Sequence, residues 1–484
     1  MSFLLPILPE SLLLVLAMLI LIVDPFVKKD ARRRPFLGWF AAIGTLIILV
    51  VSLIFGRPPL DSPIPVAAYG GMLRFDWLGF LFKMFFLLAA GVTALFFMDT
   101  ERLNQRPEAY LLMLAATIGM CLMSSSADLV MLYLSIEMTS IPLYVLAGFF
   151  IGDERSTEAG FKYLLFGALT SAVLLYGFSL IYGFSGTTDL YALSAHFKTF
   201  DLLTIGVTFL ILAGLAFKVS LFPFHFWAPD VYEGAPSPVA GFLSTASKAA
   251  GFAVIVRLLT AAFSAQTVSV NWSLILAALA TLTMVVGNFV ALAQKNVKRL
   301  LAYSSIAHAG YAMIGIVAFN QLGFASTVFY MIIYLLTNLL AFGIVSIVGQ
   351  VTGSDDLTAY NGLSRRNAPL ALAMLAAFLS LAGMPPFGGF VAKVFVFLAA
   401  INTGWVWLAV VGVLNSIVGL YYYLNVLKYV YLFRGENEAE QEHPVPVSRP
   451  FAAGIIILLA GIILLGTIFG PWFGLASRAA AGLF

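Results

Sequence analysis

The chain has 484 residues, of which 61% are hydrophobic and 10% charged, against about 25% charged in ordinary soluble domains. A soluble protein of this length could not hide that much apolar surface, and a net charge of +3 says nothing for nucleic acid. The single cysteine, Cys121, lies in an apolar run, where a buried structural thiol is expected; alone, it excludes disulfides within the chain and Cys-ligated clusters.

Fourteen apolar stretches long enough to cross a bilayer follow in chain order, at 4–26, 36–55, 77–97, 109–125, 128–150, 161–184, 203–226, 236–263, 272–294, 299–319, 323–350, 369–400, 405–433 and 451–473. In lipid each backbone group needs an internal partner, so these are predicted helices, and the period-2 alternation of a membrane barrel is absent. The first has no basic region before it and no small-residue cleavage site after it, so it reads as a span and not as a removed signal. Span seven carries Pro223 close behind Lys218, and span twelve holds Gly383, Pro385, Pro386, Gly388 and Gly389 in its interior. Both are predicted to be broken helices. The breaks lie five spans apart, and five is odd, so two five-helix units joined end to end have opposite orientations. The predicted fold is therefore all-α, with about 14 transmembrane helices and two inverted five-helix repeats, the usual build of ion transporters. The corresponding division is 1–108 for spans 1–3, 109–263 for spans 4–8, 264–433 for spans 9–13, and 434–484 for a loop and span 14.

Loop charges orient the chain. With the N-terminus outside, the inside loops hold Lys28, Lys29, Arg32, Arg33, Arg34, Arg102, Arg106, Arg155, Lys295, Lys298, Arg299, Arg365, Arg366, Arg434 and Arg449, and the outside loops and C-terminal tail hold only Arg57, Arg74, Lys198 and Arg478. The bias supports an even number of spans, with both termini on the outer side. The acidic, Pro-containing loop 434–450 reads as a connector or a contact surface for a neighbour.

Charges within the hydrocarbon cost at least about 2.5 kcal/mol each on insertion scales, and four stand out. Glu137 follows Asp128, which can start its helix, by nine residues, which is about 14 Å of depth. Lys218 precedes the break of span seven. Lys248 stands about 15 Å beyond Pro238, and Lys393 follows the break of span twelve. A buried lysine resists holding its proton and a buried carboxylate resists losing one, whereas side by side they favour the charged forms. A lysine whose partner moves away thus becomes a switchable proton site. The alternative is a snorkelling lysine or structural glue between helices, but three lysines to one central glutamate is not the stoichiometry of static pairing.

A second tier contains His225 and His308, either of which titrates in the range of a proton relay or serves as a helix-packing histidine. Their spacing offers no paired set for haem. Lys83 and Lys162 could line a hydrated path, although Glu158, four residues before Lys162, makes a helix pair the simpler reading there. Glu154 and Asp230 read as proton-uptake groups or solvated loop charges, His196 and His443 as loop residues, and Tyr421, Tyr422 and Tyr423 as packing or an interfacial belt.

The stretch FKVSLFPFHFWAPDVYEGAPSPVAGFLSTASKAAGFAVIVRLL (217–259) resembles the core of the antiporter-like membrane subunits of proton-pumping NADH:quinone oxidoreductase, respiratory complex I. QKNVKRLLAYSSIAHAGYAMIGI (294–316) and LSLAGMPPFGGFVAKVFVF (379–397) agree, and the resemblance runs over roughly 100–435. PDVYEGAP and SDDLTAYNGLSRR (354–366) are similar to the N-type branch; Lys393 argues against the M-type, and with one further span before Phe484 the long lateral C-terminal helix of the L-type is not expected.

The resemblance implies roles. Glu137 and Lys218 correspond to the glutamate–lysine pair thought to couple the channel, Lys248 to the central residue of helix eight, and Lys393 to the terminal residue of broken helix twelve. It implies a translocase subunit with no redox centre of its own, with FMN, iron–sulfur clusters and quinone on partner subunits of the membrane and peripheral arms, and a place in a bacterial inner membrane. A subunit of a cation/proton antiporter without a redox partner shares much of the pattern of helices five to eight and remains the alternative. Relatives fed by ferredoxin or a deazaflavin instead of NADH would look much alike on this chain.

Overall fold

The computed structural model describes residues 4–26, 35–59, 66–198, 201–264, 266–433 and 444–483. The loop cations Lys28, Lys29, Arg32, Arg33, Arg34 and Arg434, the acidic part of the 434–450 loop, and His443 lie outside the described residues.

The chain is a bundle of helices whose bounds follow from apolar length and capping. They run α1 Leu8–Val23, α2 Pro35–Phe55, α3 Trp77–Asp99, α4 Pro107–Ser125, α5 Leu129–Ala147, α6 Glu154–Ser185, α7 Leu202–Val219, α8 Trp227–Gly234 and α9 Ser237–Ala262. They continue as α10 Gln266–Leu292, α11 Val297–Val317, α12 Gln321–Thr352, α13 Ala368–Ala382, α14 Gly388–Asn402, α15 Val406–Tyr431, α16 Arg449–Thr467 and α17 Phe469–Ala481. Among the described residues thirteen candidate spans are long and apolar enough to cross a membrane by themselves, and the two shorter apolar helices α13 and α14 together make the broken twelfth. The chain is therefore a multi-pass membrane protein.

Most spans start on a side chain that accepts a backbone N–H otherwise left unpaired at a helix start. Asp76 accepts from Gly79, Asp128 from Val130 and Met131, Asp153 from Arg155 and Ser156, Asn296 from Arg299, Asn320 from Gly323, and Asn367 from Leu370. Asp128 thus starts the helix of Glu137, as the sequence predicts. The centre of the bundle is α9 and the middle of α12, which are buried, whereas α1, α6 and α16 turn most of their surface outward, as lipid-facing helices do.

Both predicted breaks are present, and they are built alike. In span seven α7 ends at Val219, Ser220 turns left-handed (φ 59°, ψ 44°), and Leu221 N–H donates back to the Ala216 carbonyl at 2.8 Å. In span twelve α13 ends at Ala382, Gly383 takes the left-handed turn (φ 84°, ψ 45°), and Met384 N–H donates to the Leu379 carbonyl at 2.9 Å. Pro223 and Pro386 each stand three residues beyond the turn, each after a cis peptide bond. The sequence places the end of span seven at 226, seven residues late, and reads PDVYEGAP as a loop. The chain instead resumes as the short helix α8, tied to α7 by the Trp227 indole donating to the Phe217 carbonyl at 3.1 Å.

Three elements depart from the predicted string of helices. A hairpin pairs Val66–Ala68 with Leu73–Phe75, antiparallel, with Val66 opposite Phe75. Inside α9, Leu243–Ser247 is one turn of π-helix, ending against Lys248. Span fourteen stops at Thr467, and α17 begins a new direction, because Pro471 has no N–H to return to Thr467 and cannot continue the helix. Phe473 of α17 stacks on Phe395 of α14 with ring centroids 3.8 Å apart.

Candidate functional site: a line of buried lysines

Glu137, on α5, is half-buried and accepts a hydrogen bond from Ser171 of α6. It lines one cavity with Ser140, Thr170, Ser171, Gly214 and Lys218. Lys218, 6% exposed, sits in the last turn of α7, and its Nζ donates to Ser140 Oγ at 2.8 Å. Glu137 and Ser140 are three apart on α5, so they share a face. The predicted glutamate and lysine thus meet at one cavity, but among the described residues they form no ion pair within 4 Å. Ser171 holds the glutamate and Ser140 the lysine.

Lys248 is 1% exposed. Its Nζ donates to the carbonyl and the hydroxyl of Ser305 on α11, the former at 2.8 Å. Gly251, on the next turn of α9, lies against the stem of Lys218, so the first and second lysines are neighbours across the α7–α9 contact. Lys393, 5% exposed, rises from α14 on the far side of its break and donates to the carbonyls of Leu381 and Ala382 at 3.1 and 3.0 Å. Those carbonyls end α13, where the helix dipole favours a cation. Lys218 therefore belongs to the helix half before its break, and Lys393 to the half after. The Lys393 ammonium also lies 4.7 Å over the Tyr311 ring.

His308 stands on α11 between them, one turn from Ser305. Its Nδ1 meets the Tyr330 hydroxyl at 2.7 Å and its Nε2 the Tyr423 hydroxyl at 3.2 Å, and the Tyr334 ring stacks on it at 5.1 Å. A small cavity lined by His308, Tyr330, Tyr334, Ser380 and Leu381 leads from the imidazole to the break where Lys393 is held. His225 is not with them: it lies in the break of span seven, buried, between Phe222 and Phe226.

Asp230 is not a solvated loop charge. On α8, partly buried, it accepts from Lys162 at 2.6 Å and from Arg299 at 2.9 Å. Lys162 also makes the predicted helix pair with Glu158 at 2.6 Å, and Arg299 also holds Glu233 at 2.8 Å. This network ties α6, α8 and α11 together. Glu154 is exposed in the first turn of α6 and joins no ion pair among the described residues.

Two buried ion pairs escape the sequence reading. Lys83 of α3 pairs with Glu10 of α1 at 2.7 Å and also donates to the Pro6 carbonyl at 2.7 Å. Arg257 of α9 clasps Asp76 in a two-pronged pair at 2.6 and 3.0 Å, and also donates to the Ser124 carbonyl and the Tyr191 hydroxyl. Arg257 stood in plain sight inside span eight. Glu10 and Asp76 sit near span ends, where an acidic residue ordinarily reads as a cap. Tyr423, read as packing or belt, is 1% exposed, and its hydroxyl bonds both His308 and Ser304.

Titratable side chains in the interior of a helical membrane protein are rare and mark a candidate functional site, and here two of the lysines stand at helix breaks. The chain belongs to the NADH:quinone oxidoreductase/Mrp antiporter transmembrane family, whose model matches residues 126–419. That range holds Glu137, Lys218, Lys248 and Lys393. It is 42% identical, over 94% of each chain, to NADH-quinone oxidoreductase subunit N of Heliobacterium modesticaldum. Its fold is similar to a chain of Thermus thermophilus respiratory complex I, with a TM-score of 0.80, 34% identity, and 97% and 99% of the two chains covered. A chain of the Mrp complex from a Dietzia species, 22% identical over 98% and 97% of the two chains, shares the fold with a TM-score of 0.84.

Proposed function

We propose that this chain is a proton-translocating membrane subunit of an NADH:quinone oxidoreductase, of the N type, seated in a bacterial inner membrane beside the other subunits of the complex. Electron transfer, with FMN, iron–sulfur clusters and quinone, belongs to those partners. The 42% identity to a quinone-oxidoreductase subunit, against 22% to the Mrp chain, favours this reading over a cation/proton antiporter. The observation that carries the proton role is the line of three buried lysines, each bonded to neutral oxygen atoms and none to a carboxylate among the described residues.

In this reading quinone reduction elsewhere shifts charge along the membrane, and the Glu137–Lys218 pairing follows. Two unit charges about 7 Å apart at an effective dielectric near 20 interact by roughly 2.4 kcal/mol, enough to change proton affinity about fiftyfold. Lys218 then exchanges its proton through Lys248 towards Lys393. Such a switch starts from a state in which the two groups are held apart, Lys218 by Ser140, whose own hydroxyl donates to the Ile136 carbonyl at 2.7 Å, and Glu137 by Ser171. Asp230 and Glu154 are the uptake candidates on the side of α8, and His225 is a relay candidate in the break.

The test is purification of the tagged chain from its native membrane in mild detergent. NADH:quinone reductase activity and iron–sulfur absorbance are expected to co-purify. A chain that elutes without redox centres yet exchanges cations for protons in vesicles would establish the antiporter instead.

A further inference from the structure

Another cavity lies between α7, α9, α10 and α11, outside the line of lysines. Leu212, Leu215, Leu258, Trp272, Leu276 and Met313 line it, and its space, mouth included, is about 300 Å³. One end is formed by Ala216 and Leu221, the two residues whose hydrogen bond closes the break of span seven. There Phe222 N–H donates to Thr283 Oγ1 of α10 at 3.1 Å, so α7 and α10 are tied together at the break. Every side chain on the cavity wall is apolar.

Two donors beside this cavity have no acceptor. The Trp272 indole is 2% exposed and packs on Phe263 with ring centroids 5.2 Å apart, and its Nε1–H bonds nothing among the described residues. Thr208, buried on α7 one turn from Leu212, has an unbonded hydroxyl as well. Spans seven and nine run in the same direction, and Thr208 and Trp272 each stand six residues beyond the first residue of their helix, Leu202 and Gln266. Both donors are thus about 9 Å from the same end of the bundle, near the boundary of headgroups and hydrocarbon where tryptophan ordinarily sits. A buried indole N–H ordinarily has a partner. Water is a poor one here, because a buried water needs two or more polar contacts and this wall offers carbon. Phe209 and Leu274, on the same turns, are 59% and 61% exposed, so both helices turn apolar surface outward at this depth.

We propose that this cavity is a phospholipid site, in which one acyl chain lies between α7 and α10 with its end against the break of span seven and its ester carbonyl accepts from Trp272. The Thr208 hydroxyl, at the same depth, is the second donor for the ester group. Lipid tails are as apolar as the wall, so apolar contact alone gives no preference for the cavity over the bilayer. The donors supply that preference. No charged side chain lines the cavity, so the site reads the chain and its ester and not the headgroup. The bound chain covers Ala216 and Leu221 and keeps the lipid-facing side of the break dry, two residues from Lys218.

The test uses the protein purified with its native partners, in vesicles of phosphatidylcholine with a trace of phosphatidylcholine that carries a photoreactive diazirine midway along one acyl chain. After illumination the labelled residues are mapped by mass spectrometry. Label is expected on Leu212, Leu215 and Leu276. Trp272→Phe keeps the ring on Phe263 and removes only the N–H, and it is expected to cut that label about fivefold, the scale of one hydrogen bond. Leu276→Trp fills the cavity and is expected to abolish the label. The exposed Phe209 and Leu274 report the surrounding lipid, and their label stays constant in both variants. Label confined to Phe209 and Leu274 in the unaltered protein, or cavity label that survives Leu276→Trp, would overturn the site. Cavity label unchanged in Trp272→Phe would overturn the ester contact, and cavity label displaced by added quinone would overturn a phospholipid as the occupant. Should Leu276→Trp fail to assemble, Ala216→Leu fills the same cavity from α7 and is judged by the same outcomes.

Discussion

Lys248 and Arg257 stand nine residues apart on α9, which at about 100° per residue puts them on opposite faces of one helix. On one face the lysine bonds Ser305; on the other the arginine clasps Asp76 and is 1% exposed. Arginine stays charged in proteins, whereas a buried lysine can release its proton. The same helix therefore carries an ion pair that anchors it to α3 and, on its other face, a lysine bonded to neutral oxygens alone among the described residues. Removing one partner of a buried pair leaves an uncompensated charge and costs about 3–5 kcal/mol, while replacing both by apolar residues of similar size costs far less. Asp76→Ala is accordingly expected to lower the thermal midpoint of the purified protein sharply, and the double variant Asp76→Leu with Arg257→Met to recover most of it. Equal loss in both would mean that the pair does not act as an anchor. The network of Asp230, Lys162 and Arg299 is about a third exposed, and each of its bridges adds little to stability.

The two broken spans show how local backbone chemistry sets the lysines. Gly383 holds a left-handed turn (φ 84°), and a Cβ there would also meet the stem of Lys393. A β-branched residue at that conformation costs roughly 1–2 kcal/mol in the backbone alone. Gly383→Val is therefore expected to lower stability by at least that amount in thermal unfolding, and no loss would show that the break does not need its glycine. Much of this was legible in advance. The fourteen apolar stretches match the spans because length and hydropathy dominate in lipid, and Pro385–Pro386 among glycines announced the break of span twelve. The break of span seven was legible from Pro223, but its left-handed residue is Ser220, which carries no glycine signal. Three-residue strands and a single π-turn leave no periodicity to read. Of the site, the charges in mid-span were legible because each is an exception in an apolar run. Tyr423 was not, because a tyrosine among tyrosines looks like packing until its hydroxyl is seen to bond His308.

At the scale of the whole molecule, the family match begins at residue 126, and the three N-terminal spans lie before it. Those spans are joined to the matched region through charge, by Arg257 on Asp76, and α3 is joined to α1 by Lys83 on Glu10. The lysines run across the rest of the bundle, Lys218 beside α5 and α9, Lys248 on α9 bonded to α11, and Lys393 at the break of span twelve. Glu137 is only half-buried, which in the proposed function leaves it open to a neighbouring charge. In the proposed function, charge arrives at Glu137, Lys218 responds, and the proton moves towards Lys393. The most direct measurement is quinone-driven proton uptake by the complex in sealed vesicles with Lys218→Ala, normalised to assembled complex. A large loss of uptake, with the complex still assembled, is the predicted result, and uptake at the wild-type level would contradict the account.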